Sequence, residues 1–92
     1  MQPNIGRLLL TRRMNPEPVQ NIEAIFLDLA EAEVLRLVDL EGLYQEQAGS
    51  TMGLSRGTVW RILESARRKV VRSIYEGRCL IIAASDEVDA PT

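Results

Sequence analysis

Gly53 follows Gly49 by four residues, and the β-branched Val59 follows six residues after that. No other feature of the chain constrains its fold as tightly. Two short helices that cross steeply need a small residue where they touch, a turn residue able to take positive φ, and apolar residues that lock the pair. Gly49 meets the first requirement and Gly53 the second, while Ala48, Met52, Leu54, Val59 and Ile62 meet the third. Ser55 is placed as an N-cap, its side-chain oxygen accepting from early backbone N–H groups. From Arg56 to Glu76 apolar residues recur at 59, 62, 63, 66, 70 and 74, the spacing of a helix roughly 30 Å long, and Gly77 stops it. Gln45 to Glu64 therefore reads as a helix-turn-helix, the alternative being an ordinary helical hairpin with a glycine turn.

Upstream, Asp28-Leu29-Ala30-Glu31 reads as a capping box, and the helix behind it carries Val34, Leu35, Leu37, Val38, Leu40 and Leu43. Apolar on most sides, that helix is expected to be central and buried, with Gly42 at its end or at a tight bend. Tyr44 to Met52 is a second, short helix. Ile22–Leu27 and Arg78–Ala83 are short strand candidates that flank the helical block and would pair with each other. The expected fold is thus mainly α: a three-helix helix-turn-helix domain over residues 22–83 with one or two short flanking β-strands. An irregular arm (1–21), extended at most over Ile5–Thr11, precedes it, and a disordered acidic tail (84–92) follows.

With 92 residues the chain is one domain at most, and its thin core would gain from dimerisation. It has no histidine and a single cysteine, Cys79. That leaves no Cys/His zinc site, no Ser-His or Cys-His catalytic pair and no intramolecular disulfide, so neither an enzyme nor a metal or cofactor is expected. Cys79 reads as a small core residue. The run Leu8-Leu9-Leu10 is too short for a signal-peptide core or a membrane span, which points to a cytoplasmic protein.

The formal charge is −2, but it is unevenly spread. Residues 14–54 hold eight acids against Arg36, a charge of −7. Residues 55–78 hold Arg56, Arg61, Arg67, Arg68, Lys69, Arg72 and Arg78 against Glu64 and Glu76, a charge of +5. One basic segment inside an acidic protein can bind a polyanion locally, although a solvated helix face has the same composition. Glu31, Glu33, Glu41 and Glu46 read as such a solvated face rather than as catalytic carboxylates.

In a helix-turn-helix the second helix enters the major groove and its outward positions reach base edges. Those positions are Arg56, Gly57, Trp60, Arg61 and Glu64. Arg56 and Arg61 suit bidentate contacts to guanine, while Glu64 would accept from a cytosine amine or orient Arg61. Trp60 either packs on a thymine methyl or sugar, or against the N-terminal segment or a partner chain. Gln45, Ser55 and Thr58 are placed to hold phosphates. Arg67, Arg68, Lys69 and Arg72 are flanking phosphate contacts or partners for the acids of residues 31–46.

Gly53-Leu54-Ser55-Arg56-Gly57-Thr58-Val59 with Ala66-Arg67-Arg68-Lys69 resembles region 4 of sigma-70-type factors. The longer run Asp39–Val70, followed by Glu76–Ile82, more closely resembles the domain-of-unknown-function 134 family of small prokaryotic predicted DNA-binding proteins. The likeness covers roughly residues 22–83. It implies a sigma-70 region 4-like, winged-helix-like fold and DNA binding, with no established target. Two departures stand out. The family carries Ala where this chain has Gly49, which should soften the second helix by up to about 1 kcal/mol. Many members also carry cysteines in a basic N-terminal segment, and residues 1–21 here have none.

The expected function is sequence-specific binding of double-stranded DNA, as a transcriptional regulator and a homodimer, because one helix-turn-helix reads few bases. The alternative is a protein-interaction module that docks RNA polymerase or another regulator through the same fold.

Overall fold

The computed structural model describes residues 8–84. Three helices pack on a three-stranded sheet: β1 (Arg13–Met14), β2 (Asn21–Leu27), α1 (Leu29–Leu35), α2 (Gln45–Met52), α3 (Arg56–Glu76) and β3 (Arg78–Ile82). The domain is a small mixed α/β fold. The acidic tail expected over 84–92 lies, apart from residue 84, outside the described residues, as do residues 5–7 of the stretch expected to be extended.

Helix α1 begins as its capping box dictates. Glu31 N–H donates to Asp28 Oδ1 at 2.8 Å and Asp28 N–H donates back to Glu31 Oε1 at 2.9 Å. The helix does not run straight to Gly42. At Arg36–Leu40 it widens into a π-helical turn, with Glu41 N–H donating to Arg36 O at 2.8 Å. Gly42, at φ +79°, then reverses the chain. The expectation of burial along the whole stretch is met only in part. Val34 and Leu37 are buried, whereas Leu40 beyond them is exposed.

Strands β2 and β3 pair in parallel, Ile25 opposite Leu80 and Leu27 opposite Ile82. A parallel pair needs a long crossover, and here all three helices supply it. A bulge between Asn21 and Ile25 breaks the ladder. The Arg78 guanidinium fills the gap, donating to Glu23 O at 2.8 Å and Ala24 O at 3.3 Å. The arm expected to be irregular also contributes a strand. Arg13 and Met14 pair antiparallel with Ile81 and Leu80, so the sheet has three strands where one or two were expected. A two-residue strand carries no hydrophobic periodicity, and only an existing edge on β3 can hold it.

Two apolar clusters meet along α3. Val34, Leu37, Ala48, Met52, Val59 and Leu63 join the helices, while Ile25, Leu27, Ala66, Leu80 and Ile82 join α3 to the sheet. Between them sits a charge. Glu31 is 5% exposed, and its carboxylate accepts from Ser65 Oγ at 2.6 Å and Lys69 Nζ at 2.7 Å. Glu33 is also buried and takes a two-point contact from Arg36 at 2.9–3.0 Å. The reading of these two glutamates as a solvated face is therefore wrong, because each faces a cation across or along a packed helix. Glu41 pairs with Arg36 at 2.7 Å, while Glu46 is well exposed.

Truncating a buried, multiply bonded carboxylate strands its donors. Glu31→Gln is expected to lower unfolding free energy by about 2 kcal/mol. In urea titrations the combined Glu31→Gln, Lys69→Gln variant should lose less than the two single losses together.

Candidate functional site

The α2–α3 turn is tight for a specific reason. Gly53, at φ +72°, caps α2, and both its N–H and that of Leu54 donate to Gly49 O, the latter at 2.8 Å. A Cβ on Gly49 would lie 2.6 Å from Leu54 O and 3.4 Å from Val59 Cγ2. Gly49 is thus a close-packing residue, and its cost in helix propensity is offset by the approach it allows. An alanine here would require the turn to shift.

Ser55 caps α3 as expected. Its Oγ accepts from Thr58 N–H at 3.2 Å and donates to Thr58 Oγ1 at 2.9 Å. Val59, Leu63 and Ala66 form the buried stripe of α3. At about 100° per residue, Gly57, Arg61, Glu64 and Arg68 lie close to the opposite meridian. All four are exposed, and Trp60, beside them, is 44% exposed. Trp60 therefore stands at the side of α3, between the buried stripe and the outward line. Gln45 and Thr58 are half-buried at the margins of this surface.

The cations of the basic segment divide into two groups. Arg67 makes a two-point contact with Asp39 at 2.6 and 3.1 Å, and Lys69 holds Glu31. Arg72 and Arg78 share Glu76 at 3.1 and 2.9 Å. For Arg67 and Lys69 the acid partners within residues 31–46 are present, whereas Arg72 pairs within its own helix. The second group is unpaired or loosely paired. Arg56 lies 3.9 Å from Glu46 with both side chains largely exposed. Among the described residues no carboxylate lies within ion-pair distance of Arg61 or Arg68, and Glu64 does not hold Arg61 as the sequence suggested.

A shallow groove of about 340 Å³ runs along one flank of α3, lined by Arg61, Glu64, Ser65, Arg68, Lys69 and Arg72. Ser65 and Asp39 were not singled out in the sequence. The signal for Ser65 was its position four residues before Lys69, which puts both on the flank facing α1. Asp39 had no such signal, since its pairing with Arg67 depends on the π-helical turn.

Cys79 lies in β3 with its Sγ donating to Asn15 Oδ1 at 3.1 Å and receiving Arg13 Nη1 at 3.3 Å. It is half-buried rather than part of the core. Among the described residues no three His, Cys, Asp or Glu side chains are grouped to hold a metal, and no helix is long and apolar enough to cross a membrane.

The family model described as "Protein of unknown function DUF134" matches residues 5–89. The chain belongs to the DUF134 family. It is 40% identical over 85 residues to a UPF0251 protein of Archaeoglobus fulgidus, covering 92% of this chain and 81% of the relative. A UPF0251 protein of Aeromonas salmonicida is 41% identical over 91 residues, covering 92% and 89%. A UPF0251 protein of Thermococcus kodakarensis is 58% identical over 67 residues, covering 73% of this chain and 59% of the relative. Against the Thermococcus and Pyrococcus relatives, then, the matched segment spans only 53–59% of their length. No solved structure matches the chain.

The Arg67 guanidinium beside Asp39 holds that carboxyl below its ordinary value, against a smaller opposing effect of burial. A carboxylate depressed in the folded state adds stability above its unfolded pKa of about 3.9, and that stability disappears as pH falls through the folded value. Because both side chains are 40–47% exposed, solvent screening limits the contribution to under about 1 kcal/mol. Asp39→Asn should cost that much at pH 7 and progressively less as pH falls below the unfolded carboxylate value of about 3.9, in denaturant titrations across pH.

Proposed function

We propose that this DUF134 protein binds double-stranded DNA sequence-specifically, with α2, the Gly53 turn and α3 acting as a helix-turn-helix of sigma-70 region 4 type. The observation that carries the reading is the sorting of cations on α3. Those on its flanks and C-terminal end are neutralised by the protein's own carboxylates, while Arg56, Arg61 and Arg68 remain available around Gly57 and Trp60 on the exposed face. An acidic chain with net charge −2 would repel a polyanion over much of its surface, which makes such a patch the place for one to approach.

In this reading the first turns of α3 enter the major groove. Arg56 and Arg61 would meet guanine O6 and N7, and Glu64 a cytosine amine. Ser55, Gln45 and the groove beside Arg68 would follow the phosphates. Arg67, tied to Asp39, contributes field rather than contact. The protein would act in transcriptional regulation, two copies together reading a longer site than one α2–α3 unit can.

The test is selection from a random duplex library at about 150 mM salt, a concentration that weakens non-specific binding. A motif should emerge for the wild type and vanish for the double substitution Arg56→Ala, Arg61→Ala. The logarithm of affinity should fall against log salt with a shallow slope, because most of the segment's seven cations are neutralised within the protein or directed at bases and few are left for phosphates. No motif at all would favour docking to RNA polymerase or another protein, whereas a motif indifferent to both arginines would overturn their roles in base readout.

A further inference from the structure

Among the described glycines, Gly42, Gly53 and Gly77 take positive φ, and a Cβ on Gly49 would strike Leu54 O. Each has a reason within the fold. Gly57 has none. It lies inside α3 with ordinary helical backbone, and a Cβ built on it would find nothing within 4 Å. Helix formation alone favours alanine there, because glycine loses more backbone freedom on ordering. The position is also the first on the outward line that continues through Arg61, Glu64 and Arg68, with exposed Arg56 before it and half-exposed Trp60 one turn on.

We infer that Gly57 is a specificity-determining position: its missing side chain lets the first turn of α3 seat directly against a base-pair edge of double-stranded DNA. This rests on the DNA reading above and adds a steric condition to it. Arg56 and Arg61 are long side chains that adapt to several depths, whereas a backbone flanked by them on a rigid helix does not. Without a Cβ the helix can approach until its backbone meets the base pair, and that depth fixes which edges the two guanidiniums reach. Any side chain at 57 holds the helix further out, so the close backbone contact is lost and the two arginines must extend to reach the bases, which weakens their planar bidentate contacts.

The inference separates stability from binding, which ordinarily fall together when a fold is damaged. Wild type, Gly57→Ala and Gly57→Leu, each as the full chain, would be compared by thermal unfolding and by fluorescence anisotropy on the duplex that wild type selects and on a scrambled duplex. Gly57→Ala should unfold at the same or a higher temperature and bind the selected duplex at least about tenfold more weakly, with little change on the scrambled one. Gly57→Leu should lose more. Equal binding by wild type and Gly57→Ala would overturn the inference while leaving the DNA reading intact. A lower unfolding temperature for Gly57→Ala would overturn it too, since the glycine would then serve the fold. If wild type selects no duplex at all, the DNA reading fails and the inference fails with it.

Discussion

A single carboxylate, that of Glu31, fixes the geometry on which the rest of the domain depends. It closes the capping box at the start of α1 and, from the same two oxygens, receives Ser65 and Lys69 of α3. Because α1 follows β2 after one residue, the contact ties strand, helix and long helix into one unit. A buried charge is costly when it lacks partners and directional when it has them. Apolar contacts between α1 and α3 would tolerate sliding by part of a turn. Three donors converging on one carboxylate do not, so the roll and register of α3 are set by hydrogen bonds as well as by packing.

The outward face of α3 follows from that register. With Lys69 drawn towards α1 and Arg67 towards Asp39, the helix is rolled so that Val59, Leu63 and Ala66 face the core and Arg61 and Arg68 face solvent. The acidic first half of the chain thus has a structural use. It neutralises Arg67 and Lys69, which lie near it, meets Arg56 only loosely through Glu46, and among the described residues has no carboxylate at ion-pair distance from Arg61 or Arg68. Net charge alone conceals this, since −2 is compatible with an even mixture of charges.

Much of this could be read in the sequence, and what could not shares a physical cause. The capping box at Asp28, the stops at Gly42 and Gly77, and the turn at Gly53 are local, each decided by a few adjacent residues. They stand where the residues put them. The strand β1 and the partners of Arg67 and Lys69 are non-local. Arg13 and Met14 form a strand only because β3 offers an edge, and Glu31 is buried only because α3 lies across it. Periodicity describes a helix face as polar or apolar; it does not show that a polar residue faces another helix. For that reason the glutamates read as a solvated surface. Within the candidate site, Gly57, Arg61 and Glu64 were legible as outward because helical phase fixes them, whereas Arg56 is exposed as the first residue of α3 and Trp60 lies at the side of the helix. The division of the basic residues into paired and unpaired was not.

Places where local folding rules are broken without a structural return are the ones to examine for function. Leu40 and Tyr44, exposed around the α1–α2 connection, are isolated departures of the kind any small protein shows. The first two turns of α3 are different. Within Arg56–Arg61 the helix carries a glycine that nothing crowds, a half-exposed tryptophan, an Arg56 only loosely met by Glu46 at 3.9 Å, and an Arg61 with no carboxylate at ion-pair distance among the described residues. The substitutions that would suit the isolated fold better are simple: alanine for the glycine and a smaller polar residue for the tryptophan. The same helix has acids within reach of Arg67 and Arg72, so the chain has the means to pair its cations where pairing serves the fold. In the first two turns Arg56 is held only loosely and Arg61 has no such partner among the described residues, and the proposed DNA reading rests on that contrast within one helix.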